Sequence, residues 1–280
     1  MCAPCSASYG SRVLTSFLLL LCCGCLTGVT TVLFGFGGGF VTVPVVYAFS
    51  AATAGADAMH VAVATSAAVM IVNAALATVA AARTGDLRPE FLHPLALFIA
   101  VGAVAGAAIS TAVPDRVLQL LFAAYLLITI ADIVLRAGFI TTPDRPGTRP
   151  MPLPPVSGVG IGAVAALLGV GGSVMTVPLL RRAGLPMSEA VAMANPLGLP
   201  VAVTATVVYA LATPVAAPAG SYGHVDLVAA AGLLAGALPT IGLLKRSPPA
   251  IPDRFHAIIY PVFLTVVLVG MITAACAVNS

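Results

Sequence analysis

The sequence predicts an all-α, polytopic membrane protein that consists of two homologous repeats of about four transmembrane elements each. Hydrophobic residue types make up 60% of the 280 residues, charged types make up 8%, and the mean hydropathy is +1.10. A soluble domain carries about 25% charged residues, because water surrounds it. The apolar residues also form long unbroken runs, and one glycine-rich pattern occurs in both halves of the chain. These three observations exclude an ordinary soluble domain.

Eight apolar runs are the candidate membrane elements, and several exceed the roughly 20 residues that a helix needs to cross the hydrocarbon core. Arg12 and the leucines at 18–21 also resemble a signal peptide. The duplication described next requires the whole first run, so we expect that segment to be retained. In chain order the runs are Val13–Val46, Ala58–Ala82, Phe91–Val113, Val117–Phe139, Val156–Leu180, Glu189–Ala212, Leu227–Leu244 and Phe255–Ala277.

The two halves of the chain share a ten-residue pattern. Gly35–Pro44 reads GFGGGFVTVP and Gly169–Pro178 reads GVGGSVMTVP, and the two are identical at six of ten positions. We therefore predict a first membrane repeat at 1–140, a proline-rich linker at 141–155 and a second membrane repeat at 156–280. Further landmarks occur in the same order, namely Pro114–Arg116 with Pro252–Arg254, and Gly102 and Gly106 with Gly232 and Gly236.

The number of spans decides how the repeats are related. Four spans in each half would make them parallel, and an odd number would invert them. The sequence leaves both arrangements open, because glycines interrupt the first element of each repeat.

Each glycine-rich stretch predicts a break in the first element of its repeat. Glycine costs about 1 kcal/mol in a helix relative to alanine. The segment after each break begins a new half-helix, whose free N–H groups and positive dipole end suit an anion. Paired breaks at matching points of two repeats are typical of a transporter site, although glycines can also serve close helix packing alone. The predicted substrate-binding residues are Gly35, Gly37, Gly38, Gly39 and Thr42 in the first repeat, and Gly169, Gly171, Gly172, Ser173 and Thr176 in the second.

Polar residues in the next element of each repeat are further candidates. Thr65 and Ser66 lie in the run 58–82, where Asn73 shares a helix face with Thr65, and Asn195 takes the place of Ser66 in the second repeat. Hydroxyl and amide groups donate hydrogen bonds to an anion without adding a fixed charge. We predict that Thr65, Ser66 and Asn195 line the site, with hydrogen bonding between helices as the alternative role.

Four titratable residues lie near predicted helix ends. His60 and Glu189 begin corresponding runs, so each is a candidate for proton coupling or a simple interfacial residue. Arg181 and Arg182 are expected to face water and to attract anions. The cysteines at 22, 23 and 25 have no histidine nearby, so we predict that they pack against other helices and bind no metal.

The paired pattern resembles the TauE/SafE sulfite exporter family of membrane transporters. The resemblance rests on the Gly-x-Gly-Gly-Gly stretch followed by Val-Pro at Gly35–Pro44, on its copy at Gly169–Pro178, and on Thr65-Ser66 in the next element. The second repeat departs from the pattern at Ser173 and at Ala194–Pro196. The resemblance covers essentially the whole chain and implies export or uptake of sulfite, sulfonates or related small organic anions.

We therefore predict a multi-pass protein of the cell (inner) membrane that transports a small anion by alternating access. An anion channel with the same glycine breaks is the second hypothesis. An intramembrane enzyme is a weaker one, because no Ser/His dyad, aspartate pair or HExxH motif lies at membrane depth. The predicted partners are the anion and the lipid bilayer, with no nucleic acid and no cofactor, and homo-oligomerisation is left open.

Overall fold

A computed structural model describes residues 4–85, 87–136, 138–139, 154–216, 218–247 and 251–279. Side chains are described from Phe17 onward, apart from those at 52, 53, 56, 278 and 279. Most of the predicted linker 141–155 lies outside these ranges, so the linker stays a prediction.

Helices account for nearly all of the described chain. A single 3-10 turn at Gly55–Asp57 and a short antiparallel pair, β1 (Ser221–Tyr222) and β2 (Val225–Asp226), are the other regular elements among the described residues. The helices are α1 (Pro4–Phe34), α2 (Gly39–Ala54), α3 (Ala58–Thr84), α4 (Pro89–Leu92), α5 (Leu95–Ser110), α6 (Asp115–Leu135), α7 (Ser157–Leu168), α8 (Ser173–Arg182), α9 (Met187–Leu211), α10 (Leu227–Arg246) and α11 (Asp253–Asn279).

Seven helical segments in the described part of the chain are long and apolar enough to cross a membrane. They lie in α1, α3, α4 with α5, α6, α9, α10 and α11, and two shorter apolar helices accompany them at Gly39–Ala51 and Ser157–Leu168. The prediction of an all-α polytopic membrane protein is therefore confirmed.

The outer surface of the helix bundle is apolar. Leu120 and Ile128 on α6 are 70% and 67% exposed, and Val266 on α11 is 62% exposed. A helix that faced water would carry polar side chains at these positions. Lipid is the solvent that such a surface requires.

Neither glycine-rich run forms one continuous helix. α1 ends at Phe34 and α2 begins at Gly39, while α7 ends at Leu168 and α8 begins at Ser173. The described residues of each half therefore form five helices of eight or more residues, where the sequence predicted about four elements.

The two halves of the chain run in opposite directions. α3 begins beside the start of α6, where the Asp115 carboxylate accepts a hydrogen bond of 2.8 Å from the Met59 N–H. α9 begins beside the start of α11, where Asp253 accepts a hydrogen bond of 2.7 Å from the Met187 N–H. The loop after α9 returns to the start of α3, so α3 and α9 are antiparallel. These directions support inverted repeats, although the repeat relation itself stays a prediction.

Glycines allow the two halves to pack closely on each other. α7 packs through Gly158 on Leu95 of α5, and α1 packs in the same way through Gly24 on Leu233 of α10. Gly24 and Gly158 each lie eleven residues before their glycine-rich turn, so Leu95 corresponds to Leu233. In that register Gly102 corresponds to a threonine of α10. The predicted match between the glycines of α5 and α10 is therefore wrong, because glycines spaced by four allow several registers.

Candidate functional site

The chain between α1 and α2 forms a buried turn in the interior of the bundle. Gly35, Gly37 and Gly38 have φ angles of 71°, 60° and 86°, which only glycine adopts without strain. Gly38 precedes the first residue of α2, and the Thr42 hydroxyl donates to the Gly38 carbonyl oxygen at 2.8 Å. The turn is therefore a rigid start to a helix inside the bundle.

The chain between α7 and α8 has the same backbone shape. Gly169, Gly171 and Gly172 have φ angles of 68°, 73° and 76°, at the positions that match those of the first turn. Gly172 precedes the first residue of α8, and the Thr176 hydroxyl lies 3.5 Å from the Ser173 carbonyl oxygen. Both predicted breaks thus present a helix N-terminus to the interior.

The two turns meet beside Ser66 of α3. The Ser66 Oγ lies 2.7 Å from the Gly39 carbonyl oxygen and 2.8 Å from the Gly169 carbonyl oxygen. One hydroxyl proton is shared between these two acceptors. A Cβ atom at Gly39 would lie 2.8 Å from the Gly169 carbonyl oxygen, so the two segments are in direct contact.

The side chain of Met70 fills the space between the two turns. A Cβ atom at Gly37 would lie 2.6 Å from the Met70 Cγ, and one at Gly171 would lie 2.1 Å from the Met70 Sδ. Met70 is completely enclosed. The protein is thus closed at this point, and glycine is required on both sides of the methionine.

Several amide groups at the turns are unused. Among the described hydrogen bonds, the N–H groups of Gly37, Gly38, Gly171 and Gly172 have no acceptor. The Gly39 amide was predicted to face the substrate, but it donates to the Phe36 carbonyl oxygen at 3.3 Å. A buried N–H group without a partner is costly in an apolar interior, so these amides favour an anionic ligand.

Three buried side chains beside the turns also have polar atoms without a partner in the described structure. Both amide atoms of Asn73, the Oδ1 of Asn195 and the hydroxyl of Ser173 are in this group. A Cβ atom at Gly38 would lie 2.6 Å from the Asn73 Nδ2, so this amide points at the start of α2. Native interiors leave few such groups unpaired, which makes the cluster a candidate ligand site.

The structure gives one predicted site residue another role and places a second one beside the first turn. The Thr65 hydroxyl accepts a hydrogen bond of 2.9 Å from the Asp226 N–H, so it holds the start of α10 and does not line the site. Asn195 is buried beside the first turn, where its Nδ2 lies 3.5 Å from the Thr31 carbonyl oxygen.

The predicted match of Asn195 with Ser66 is off by one residue. Gly35 packs against the backbone of Val191, and Gly169 packs against the backbone of Val63. Val63 therefore corresponds to Val191, and Ser66 corresponds to the alanine at 194.

His60 lies at one end of the bundle, away from the turns. Its Nδ1 is 2.9 Å from the Asp115 Oδ1, and its Nε2 is 3.0 Å from the Ser110 carbonyl oxygen. His60 and Asp115 line a cavity of about 660 Å³. The His224 ring lies 5.5 Å from the His60 ring, and burial, followed by the charge of His60, lowers the pKa of His224.

Glu189 lies at the opposite end of the bundle from His60. Its carboxylate is 2.7 Å from the Arg88 Nε in a partly exposed ion pair. Proton coupling through His60 or Glu189 stays a hypothesis, because neither residue contacts the glycine-rich turns.

Arg181 is buried, although the sequence placed it in water. Its side chain is 1% exposed, its Nε donates to the Phe139 carbonyl oxygen at 2.9 Å, and its guanidinium forms two hydrogen bonds with the Asp253 carboxylate. Arg182 is 17% exposed and pairs with Asp132 at 2.7 Å. The prediction that Arg181 attracts anions from solvent is wrong.

Sequence reasoning missed two features of this site. Met70 occurs in an ordinary apolar run, and nothing in its neighbours along the chain shows that it fills the centre of the bundle. Thr27 and Thr31 of α1 lie within 3.5 Å of the position of a Cβ atom at Gly38. Their spacing of four residues on the helix before the break is a signal that could have identified them.

The fold and the site together define a polytopic membrane transporter with two interior helix N-termini. Such paired half-helices at matching points of two halves are the arrangement used by secondary transporters. A profile of the family described as Sulfite exporter TauE/SafE matches residues 20–273. The chain belongs to this family, which is a family of membrane transporters for sulfite and related anions and not of enzymes. No curated protein and no solved structure matches the chain.

Proposed function

We propose that the protein carries a small oxyanion of the sulfite and sulfonate type across the cell membrane by alternating access. The anion binds between the N-termini of α2 and α8. The supporting observation is that both N-termini meet beside Ser66 in the interior, with unused N–H groups on each side.

Two helix N-termini that meet inside a bundle favour a negative charge. Each carries the equivalent of about half a positive elementary charge, and the low dielectric of the interior strengthens its effect. The neighbours of both turns are apolar or neutral polar groups. An anion would therefore exchange its water for backbone N–H groups and neutral donors, which are strong hydrogen-bond partners when the acceptor is charged.

Alternating access requires Met70 to move. The side chain occupies the space between the turns, and methionine can change its conformation at low cost because it is unbranched. Two inverted halves have two conformations of similar energy, each of which opens the site to one side. Met70 thus separates the two access routes in the closed conformation.

Counterflow in proteoliposomes tests the proposed function. Purified protein is reconstituted with unlabelled sulfite inside, and uptake of radiolabelled sulfite from outside is measured. A carrier gives saturable uptake that unlabelled sulfite on the opposite side accelerates. Uptake that neither saturates nor shows counterflow would indicate a channel, and no uptake of sulfite or methanesulfonate would overturn the proposal.

Two glycine variants connect the flux with the turns. Gly172→Val places a branched side chain at a φ angle of 76°, beside Ile161, and should abolish flux while the protein still reaches the membrane. Gly160→Val is the matched control, because its Cβ meets open space on the same helix pair. Equal flux in the two variants would contradict the assignment of the site.

A further inference from the structure

We infer that the two ends of the proposed site differ in chemistry, so that the charged head of the ligand binds at the first turn and an apolar part of the ligand binds at the second. The ligand class is a small anion with a short hydrocarbon part. This inference rests on the proposed function.

The first turn has a polar wall. An added Cβ atom at Gly38 would lie 2.6 Å from the Asn73 Nδ2, 3.4 Å from the Thr27 Cβ and 3.5 Å from the Thr31 Oγ1. Asn73 is fully buried, and neither of its amide atoms has a partner in the described structure. An asparagine with no internal role at such a position is explained by a ligand that it binds.

The second turn has an apolar wall at the same places. The Gly172 position lies against Ile161 and Ala165, at 3.2 and 3.5 Å from an added Cβ atom. These residues take the places that two threonines of α1 take at the first turn. The correspondence of Val63 with Val191 also places Val201 where Asn73 lies in the first half, and Val201 is fully buried.

Asn195 adds a second buried amide to the first turn, although its Nδ2 is used by the Thr31 carbonyl oxygen and its unpaired atom is the acceptor Oδ1. It belongs to the second half, but its side chain lies beside the first turn, near the Thr31 carbonyl oxygen. In the first half the corresponding residue is Ala67, which has no polar group. The exception is Ser173, whose buried hydroxyl at the start of α8 is a polar group at the apolar end. The Thr27 and Thr31 hydroxyls donate to carbonyl oxygens of their own helix, so the free side-chain donor at the first turn is the Asn73 amide. Its NH₂ group offers two hydrogen bonds, against one from the hydroxyl at the second turn, which leaves the first turn as the stronger anion site.

Binding of alkanesulfonates to the purified full-length protein tests this inference, with calorimetry as the readout. Methanesulfonate, ethanesulfonate and 1-propanesulfonate differ only by methylene groups, and each buried methylene should tighten binding about three- to fourfold. 2-Hydroxyethanesulfonate matches 1-propanesulfonate in size but ends in a hydroxyl. It should bind about tenfold more weakly, because the apolar end offers that hydroxyl too few partners.

Two variants test the roles of the first turn and the second turn separately. Asn73→Leu should raise the Kd of all four ligands by at least tenfold, as expected for the loss of a hydrogen bond to a charged group. In Ile161→Thr, the Kd for methanesulfonate should stay within about threefold of the wild-type value. The ratio of the Kd for 2-hydroxyethanesulfonate to the Kd for 1-propanesulfonate should become smaller.

Thermal unfolding without ligand separates a binding role of Asn73 from a structural one. Asn73 makes no hydrogen bond within the described structure, so Asn73→Leu should unfold at or above the wild-type temperature. A structural asparagine would lower that temperature on replacement, and this result would overturn the inference.

The outcomes distinguish the two proposals. If wild-type protein shows sulfite counterflow but binds none of the sulfonates, this inference fails and the proposed function stands. If it neither carries sulfite nor binds a sulfonate, both fail. If wild type binds them all, but Asn73→Leu binds equally well or the hydroxylated ligand binds as tightly as 1-propanesulfonate, only this inference is wrong.

Discussion

Replacement of Arg181 should destabilise the protein far more than replacement of its neighbour Arg182. The Arg181 guanidinium donates to the Asp253 carboxylate and to the carbonyl oxygens of Phe139 and Leu185, and it is 1% exposed. Arg181→Met keeps most of the side-chain volume and removes every one of these bonds. Asp253 also accepts from the Met187 N–H at the start of α9, so the ion pair supports the helix that carries Asn195.

The size of the effect follows from burial. Removal of one partner from a buried ion pair costs about 3–5 kcal/mol. The Asp253 side chain is 47% exposed, so water compensates part of its lost partner and the lower end, about 3 kcal/mol, applies. The Arg182 pair with Asp132 has both side chains partly in water, and such pairs contribute about 0–1 kcal/mol. The difference between the two variants should be about 2–3 kcal/mol.

Denaturation by sodium dodecyl sulfate in mixed micelles measures this difference. Wild type, Arg181→Met and Arg182→Met are compared at equal ionic strength, with helix content as the signal. A shift of equal size in both variants would refute the reasoning from burial. A selective loss of anion affinity in Arg181→Met at unchanged stability would place a cationic group in the anion site after all.

Three further predictions concern the site and its surroundings. Met70→Ala should increase sulfite flux in proteoliposomes, because it removes the side chain between the turns, and slower flux would contradict a gating role. The same variant should lower the free energy of unfolding by about 2–5 kcal/mol. Gly38→Ala and Gly172→Ala, at φ angles of 86° and 76°, should each lower the free energy of unfolding by about 1–2 kcal/mol. Only Gly38→Ala should weaken methanesulfonate binding in calorimetry, because only there does the new Cβ meet a side-chain amide. The folded protein holds the pKa of His224 below its usual value of about 6.5, so the contribution of His224 to stability should be complete above that pH and should be lost as the pH drops below it. His224→Gln should reduce that dependence, and an identical pH profile in the variant would contradict the assignment.

Composition and periodic motifs were sufficient to predict the membrane class and the position of both glycine-rich turns. Three glycines within five residues identify where a helix stops, because their cost in a helix is local. They do not show the direction of the next helix. The position of the next helix depends on contacts such as Ser66 with Gly169, which are 103 residues apart in the chain.

The predictions that failed depend on distant partners. Arg181 reads as a water-facing residue in any local hydropathy pattern, and only its pairing with Asp253, 72 residues away, explains its burial. The sequence matches Asn195 to Ser66 when the second elements of the two repeats are laid over each other, and stretches of small residues allow that alignment to shift by one position. The unpaired state of Asn73 is likewise visible only once the surroundings of its amide are known.

The position of Met70 has a consequence for how the two halves can change over time. Met70 corresponds to Gly198, where an added Cβ atom would lie 3.0 Å from the Gly171 carbonyl oxygen. The two halves are therefore unequal at this pair: the first half supplies the side chain that fills the space between the turns, and the second half leaves room for the Gly171 backbone. A larger side chain at Gly198 would displace that backbone, so the second half cannot gain a counterpart of Met70 without a shift of the second turn.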